Sequence, residues 1–170
     1  GDAGGAGGWD RDGRRPLLGA AGSPRSEWLM APVEAQEVGA RLGFPVGVKP
    51  NKQGATIGLT VVRRAEDFAA AVDAARKYDD EVMIEQFIDG REFTVGILAD
   101  RALAVGEIIP EGGGIFDYES KYQVGGAREI FPADLEREKA LYVADLALRA
   151  HRILKLRDYS RVDFRMNGEG

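Results

Sequence analysis

Apolar residues recur along this chain in short bursts, each closed by glycine, proline or paired acidic residues. Val33–Leu42 carries helical periodicity, with Pro32 suited to the first turn and Gly43 and Pro45 suited to the stop. Phe44–Val48 is an apolar run that closes on Lys49-Pro50. A loop follows, and Thr56–Val62 is a second β-prone run, so the stretch predicts strand, glycine-bearing turn, strand. Ala65–Tyr78 predicts a helix with Phe68, Val72 and Ala75 on one face, Glu66 and Asp67 in its first turn and Arg76 and Lys77 at its end. Asp79-Asp80 turns the chain into a strand over Glu81–Ile88.

Asp89-Gly90 is a second turn, and Arg91–Leu98 and Leu103–Ile109 read as a hairpin closed at Ala99–Arg101. Pro110–Gly126 is long, polar and glycine-bearing, and a loop of that length in a compact domain is usually functional. Ala127–Phe131 predicts a short strand. Asp134 has the chemistry of an N-cap for a helix to about Leu154, with Ala140, Ala144, Ala147 and Leu154 as its stripe and Leu141 and Leu148 beside it. Tyr159–Met166 is a last strand, and Asn167-Gly168 has the form of a hairpin turn. The hairpins imply antiparallel pairing. The expected fold class is therefore α+β with two lobes, 25–90 and 91–170, after a glycine-rich tail over 1–24.

Composition narrows the classes of function. The chain has 170 residues, 44% hydrophobic and 30% charged, with a net charge of −5 and no cysteine. The acidic balance argues against a nucleic-acid or membrane-surface binder. Without cysteine there are no disulfides, thiolate metal sites or cysteine nucleophiles, and a reducing cytoplasm fits. No run approaches the ~20 apolar residues of a membrane-spanning helix. The single histidine, His151, falls late in the long helix, where packing or exposure is the default, so no Ser-His-Asp constellation arises.

Four places can carry chemistry, and each also has a plain structural reading. Lys49 at a strand end and Gly54–Gly58 in the next loop could face a polyphosphate, the lysine as a point charge and the glycines through close backbone N–H groups. The same residues could be an ordinary hairpin. Glu85 and Glu92, seven residues apart across a turn, could read an adenine edge and ribose hydroxyls, or be solvated. Lys121, in the long loop beside Tyr122, could close over phosphates as a lid or be a solvated lysine. Arg161 and Asp163 share one face of the last strand, with Val162 and Phe164 on the other. They could be an ion pair, or an anion clamp beside a Mg²⁺ ligand.

Taken in order and at these intervals, KPNKQGATIGLTVV, YDDEVMIEQFIDGREFTVGIL, FDYESKY and RVDF resemble the D-alanine–D-alanine ligases of the ATP-grasp superfamily. The resemblance runs from about Leu42 to the last residue and is poor before Pro24. It implies two α+β lobes enclosing ATP in a cleft. It also implies phosphorylation of one D-alanine carboxylate and attack on the acyl phosphate by the amine of a second, for peptidoglycan. Lys49 would contact the ATP phosphates, with Gly54, Ala55, Thr56 and Gly58 folding over them. Glu85, the backbone near Gln86 and Ile88, and the Phe87 ring would read adenine, and Glu92 would hold the ribose. Lys121 would reach the phosphates and Tyr122 would order the site. Arg161 would stabilise charge at the acyl centre, and Asp163 would bind Mg²⁺, or Mn²⁺ in its place.

The departures shape what is expected. Ala55 stands where the family usually has Ser, although Thr56 keeps a neighbouring hydroxyl. Gln86 stands where Lys is common. The sequence reads as an internal fragment of a cytoplasmic ligase whose family often dimerises. It lacks the downstream Glu and Asn of the metal site and most of the domain that helps hold the first D-alanine, and is expected not to turn over alone. Tyr122 points to D-alanine over D-lactate as acceptor. The rivals are another ATP-grasp ligase with a different acceptor and a nucleotide-binding module without catalysis.

Overall fold

A computed structural model describes residues 26–53, 57–110 and 127–168. The expected tail, the loop residues Gly54, Ala55 and Thr56, and Lys121 and Tyr122 lie outside the described residues. Two compact units divide the chain, the first ending at Phe87 and the second running on from Ile88. Each is built on a four-stranded antiparallel sheet.

In the first unit the elements are β1 (Trp28–Met30), α1 (Ala35–Arg41), β2 (Val46–Pro50), β3 (Thr60–Val62), α2 (Phe68–Arg76) and β4 (Val82–Gln86). The sheet order is β1-β4-β2-β3. Period-2 alternation sends Val46, Val48, Val82 and Ile84 into a core with Val38, Leu42, Phe68, Val72 and Ala75 of the helical segments. The face expected for α2 is thus the buried one, joined by Ala71.

Several expected boundaries move. Pro32 precedes α1 instead of sitting in its first turn, because Glu34 is extended and takes the N-cap place. The Gly43 N–H donates to the Val38 carbonyl at 3.2 Å and closes that helix. Residues 65–67 form a separate 3₁₀ turn ahead of α2, locked by the pairing of Arg64 with Asp67. Lys49 stands at the end of β2 as expected, next to its last residue Pro50 and paired in register with Met83, whereas β3 begins at Thr60 instead of Thr56.

Gly58 takes a φ of +69°, and a Cβ there would stand 2.8 Å from Pro50 Cγ and 2.9 Å from Tyr78 Cδ2. Gly58→Ala is therefore expected to destabilise the first unit by about 1–2 kcal/mol, from positive-φ strain plus crowding. Urea unfolding of the variant against wild type checks this.

In the second unit β5 (Arg91–Leu98), β6 (Arg101–Pro110), β7 (Ala127–Ile130) and β8 (Tyr159–Met166) pair in the order β7-β6-β5-β8, with α3 (Arg137–Ile153) packed on β5, β6 and β8. Phe93, Val95, Ile97 and Val105 form the core with Val143 and Ala147 of α3, and Val162 and Phe164 pack against it.

The helix departs from expectation in two ways. It is capped at Glu136 and not at Asp134, and the Asp134 carbonyl instead accepts from Arg91 Nη2 at 2.7 Å. Its buried residues are Val143, Leu146, Ala147, Ala150 and His151. Ala140, Ala144 and Leu148 only flank that face, and Leu141 is 60% exposed. The expected and the buried stripes share Ala147, and their centres lie roughly 50° apart around the helix, the bulkier Val143 and Leu146 drawing the buried face to their side. His151 packs with its Nδ1 2.8 Å from Ser160 Oγ, the structural role that is the default for a lone histidine.

Candidate functional site

Both sheets put an apolar face against helices, so the pleat sends the alternate residues to the opposite face. In the first unit those residues are Gly47 and Lys49 of β2 with Met83 and Glu85 of β4, where Gly47 pairs with Glu85 and Lys49 with Met83. A Cβ at Gly47 would lie 3.5 Å from Glu85 Cγ, so the small residue leaves room for the glutamate to lie across the strand towards Lys49. Lys49 Nζ and Glu85 Oε1 form an ion pair, and Lys49 is 8% exposed. An ammonium this deep has lost much of its water, and the carboxylate offsets that desolvation. Glu85 is thus not a freely solvated strand-end residue.

The next residues along β4 are committed in part. Gln86 N–H donates to the Glu27 carbonyl at 2.9 Å, and Phe87 N–H to the Pro45 carbonyl at 3.2 Å. Any backbone reading of a base by Gln86 therefore falls to its carbonyl.

The start of the glycine loop is anchored by Asp79 and Glu81, which the sequence assigns only to a turn and the start of a strand. Asn51 Nδ2 and Lys52 Nζ donate to the two oxygens of Glu81 at 2.9 and 2.8 Å. Lys52 N–H donates to Asp79 Oδ2 at 2.7 Å. The hydrogen bonds from Lys52 and Asn51 hold the Glu81 carboxyl below its ordinary range. Asn51 is fully buried, a signal invisible in a polar loop sequence.

In the second unit the face away from α3 carries Glu92 and Thr94 of β5 beside Arg165 and Asp163 of β8, paired in register. Arg161 and Asp163 form the plain ion pair, Nε to Oδ1 at 3.0 Å and Nη2 to Oδ2 at 3.2 Å. Thr94 Oγ1 also donates to Asp163 Oδ1 at 2.8 Å. Arg161 is exposed, so water screens the pair and little energy opposes its exchange for another anion.

Among the described residues no three His, Cys, Asp or Glu side chains gather to hold a metal. A single exposed carboxylate does not make a protein cage. It does fit the way Mg²⁺ is held, through one or two carboxylates with phosphate oxygens and water. Glu92 pairs with Arg165, Nη1 to Oε2 at 3.4 Å, and the same guanidinium donates to the carbonyls of Ile88 at 2.7 Å and Gly90 at 3.1 Å. Thr94 and Arg165 were missed by sequence reasoning, and the β5–β8 register that reveals them is a tertiary fact.

On the helix side, Arg91 grips the buried Glu107 through two bonds of 2.6 and 2.7 Å and lies 4.9 Å over the Phe93 ring. The Arg91 hydrogen bonds hold the Glu107 carboxyl below its ordinary value of 4.5. A folded-state value depressed below the unfolded one contributes stability that is full above about pH 4.5 and is lost as pH falls through the lower folded value. Glu107→Gln is expected to lower stability at neutral pH and to flatten the acid slope, which thermal melts between pH 2 and pH 7, roughly the span where carboxylates titrate, would show.

The sequence and the fold have known counterparts. The D-ala D-ala ligase C-terminus family profile matches residues 22–170. A D-alanine–D-alanine ligase of Gluconobacter oxydans is 38% identical over 157 residues, 92% of this chain and 52% of the relative. One from Halalkalibacterium halodurans is 44% identical over 131 residues, 75% of this chain and 43% of the relative. The chain thus spans about half the length of these curated relatives. Among solved structures, the VanG D-Ala:D-Ser ligase of Enterococcus faecalis superposes with a TM-score of 0.81 at 27% identity, covering 95% of this chain and 49% of that one. The D-alanine–D-alanine ligase of Bacillus anthracis gives 0.78 at 27% identity, covering 94% and 53%. With the profile covering nearly the whole chain and both sheets shared, the chain belongs to the D-alanine–D-alanine ligase C-terminal family, on the ATP-grasp fold.

Proposed function

We propose that the protein carrying this chain is an ATP-dependent ligase that joins two D-alanines for peptidoglycan precursor synthesis. ATP would transfer its terminal phosphoryl group to the carboxylate of one D-alanine. The amine of a second D-alanine then attacks the acyl phosphate carbon, forming the peptide bond, expelling inorganic phosphate and losing a proton. Such chemistry needs positioning and charge stabilisation above all. The observation that carries the reading is the buried Lys49–Glu85 pair, a cation and an anion preset on one sheet face.

In this reading Lys49 moves from Glu85 to the phosphates, and Gly54, Ala55, Thr56 and Gly58 cover them. Glu85 is released to accept from the adenine amine, beside Gln86, Phe87 and Ile88. Glu92 accepts from the ribose. Lys121 adds charge at the phosphates, with Tyr122 ordering the loop. Arg161 exchanges Asp163 for the developing oxyanion, and Asp163, oriented by Thr94, would be this chain's ligand to the metal. Bound Mg²⁺, or Mn²⁺, would neutralise phosphate charge. ATP and D-alanine are the small-molecule partners, with no nucleic acid or membrane required; among the described residues no helix is long and apolar enough to cross a membrane. We place the reaction in the cytoplasm, where ATP is available, with the parent enzyme a homodimer.

Saturating Mg·ATP is expected to raise the melting temperature of the chain. A ligand at 100 times its Kd stabilises by about 2.7 kcal/mol. Absence of any shift would count against the nucleotide site. The VanG superposition favours a second acceptor, D-serine. Phosphate release by the longer protein with D-alanine, D-serine or D-lactate decides between them, with D-alanine expected to support the fastest turnover.

A further inference from the structure

We propose that Arg165 is a positioning residue that holds the nucleotide-reading segment 88–92 in shape, an inference that rests on the reading of Glu92 as the ribose ligand. Arg165 sits on β8, two residues beyond Asp163 and on the same face, opposite Glu92 in register. Its three nitrogens reach three different acceptors. Nε donates to the Ile88 carbonyl at 2.7 Å, Nη2 to the Gly90 carbonyl at 3.1 Å, and Nη1 faces Glu92 Oε2 at 3.4 Å. The guanidinium is a rigid plane, so fixing any two of these fixes the third.

The segment it holds makes the turn from Ile88 into β5, and Gly90 lies hard against the Met166 carbonyl at the end of β8. Glu92 and Arg165 are largely sheltered, with side chains 15% and 28% exposed. The carboxylate is thereby aimed by a neighbour before any ligand arrives, which lowers the ordering cost of binding. Arg165 itself touches no reacting atom.

The test is calorimetric titration of the chain with Mg·ATP and with Mg·2′,3′-dideoxyATP, for wild type, Arg165→Met, Arg165→Lys and Glu92→Gln. Wild type is expected to favour ATP by about tenfold, the effect of hydrogen bonds to a charged acceptor. Arg165→Met is expected to cut that preference to about threefold or less, as Glu92→Gln does, with Arg165→Lys intermediate because it keeps charge but not the planar fork. The double variant is expected to lose little beyond either single change, since both act through one contact.

A merely structural arginine would weaken both nucleotides equally. If Arg165→Met keeps the wild-type preference, the inference is overturned while the ATP site stands. If wild type binds ATP without any ribose preference, the role of Glu92 falls and the inference with it. If wild type binds neither nucleotide, the proposed function falls first. Arg165→Lys keeps the experiment readable should Arg165→Met unfold.

Discussion

Gly90→Ala is expected to destabilise the second unit by about 3 kcal/mol or more, the range of severe backbone strain compounded by collision. Gly90 has a φ of +151°, and a Cβ there would lie 2.0 Å from the Met166 carbonyl oxygen, 2.8 Å from its carbon and 3.0 Å from Asn167 Cα. All three are backbone atoms at the end of β8, so no rotamer change relieves them. Relief requires moving the turn away from β8, which would also stretch the Arg165 contacts to Ile88 and Gly90. The variant therefore couples stability to the proposed nucleotide segment. Gly168→Ala is the control, because a Cβ there meets nothing within 4 Å. Urea titration followed by circular dichroism reads both, and a loss below about 1 kcal/mol at Gly90 would mean the approach to β8 is soft.

Lys49→Met should have the largest effect on binding. Losing a charge-assisted contact to phosphate costs about 1.5–3 kcal/mol, a ten- to hundredfold drop in ATP affinity. The variant also takes the ammonium away from Glu85, whose side chain is 20% exposed. Breaking a fully buried pair costs about 3–5 kcal/mol, and partial exposure brings the expected loss here nearer 2 kcal/mol. Adding Glu85→Gln should restore part of that stability without restoring ATP affinity. This separates the two roles of the lysine. Wild-type affinity in Lys49→Met would leave Lys49 as no more than the partner of Glu85.

The pairing found at this site shows how a sequence can put residues forward for a site without giving the partners they hold in the fold. Lys49 and Glu85 are 36 positions apart, and each has a sound chemical reason to meet a nucleotide. That they meet each other follows from the β2–β4 register, which sets Gly47 opposite Glu85 and opens space for the glutamate. Asp79 and Glu81 make the same point from the other side. As letters they are a turn and the start of a strand, and as structure they hold the first residues of the glycine loop.

Local physics was enough wherever the pattern was strong and the partners near in sequence. Alternation identified β5 and β8 to the residue, and it put Arg161 and Asp163 on one face with Val162 and Phe164 on the other. The motif order from Lys49 to Asp163 was enough to identify the family, because spacing among chemically distinctive residues is carried by the chain itself. What only tertiary structure decided was every choice between near-equal local options: towards which side of Ala147 the buried face of α3 extends, and whether the helix is capped at 134 or 136. Tertiary structure also decided which partner each charge takes. Those outcomes depend on long-range burial and strand register, where a shift of one residue exchanges the faces, and no local sequence window contains that information.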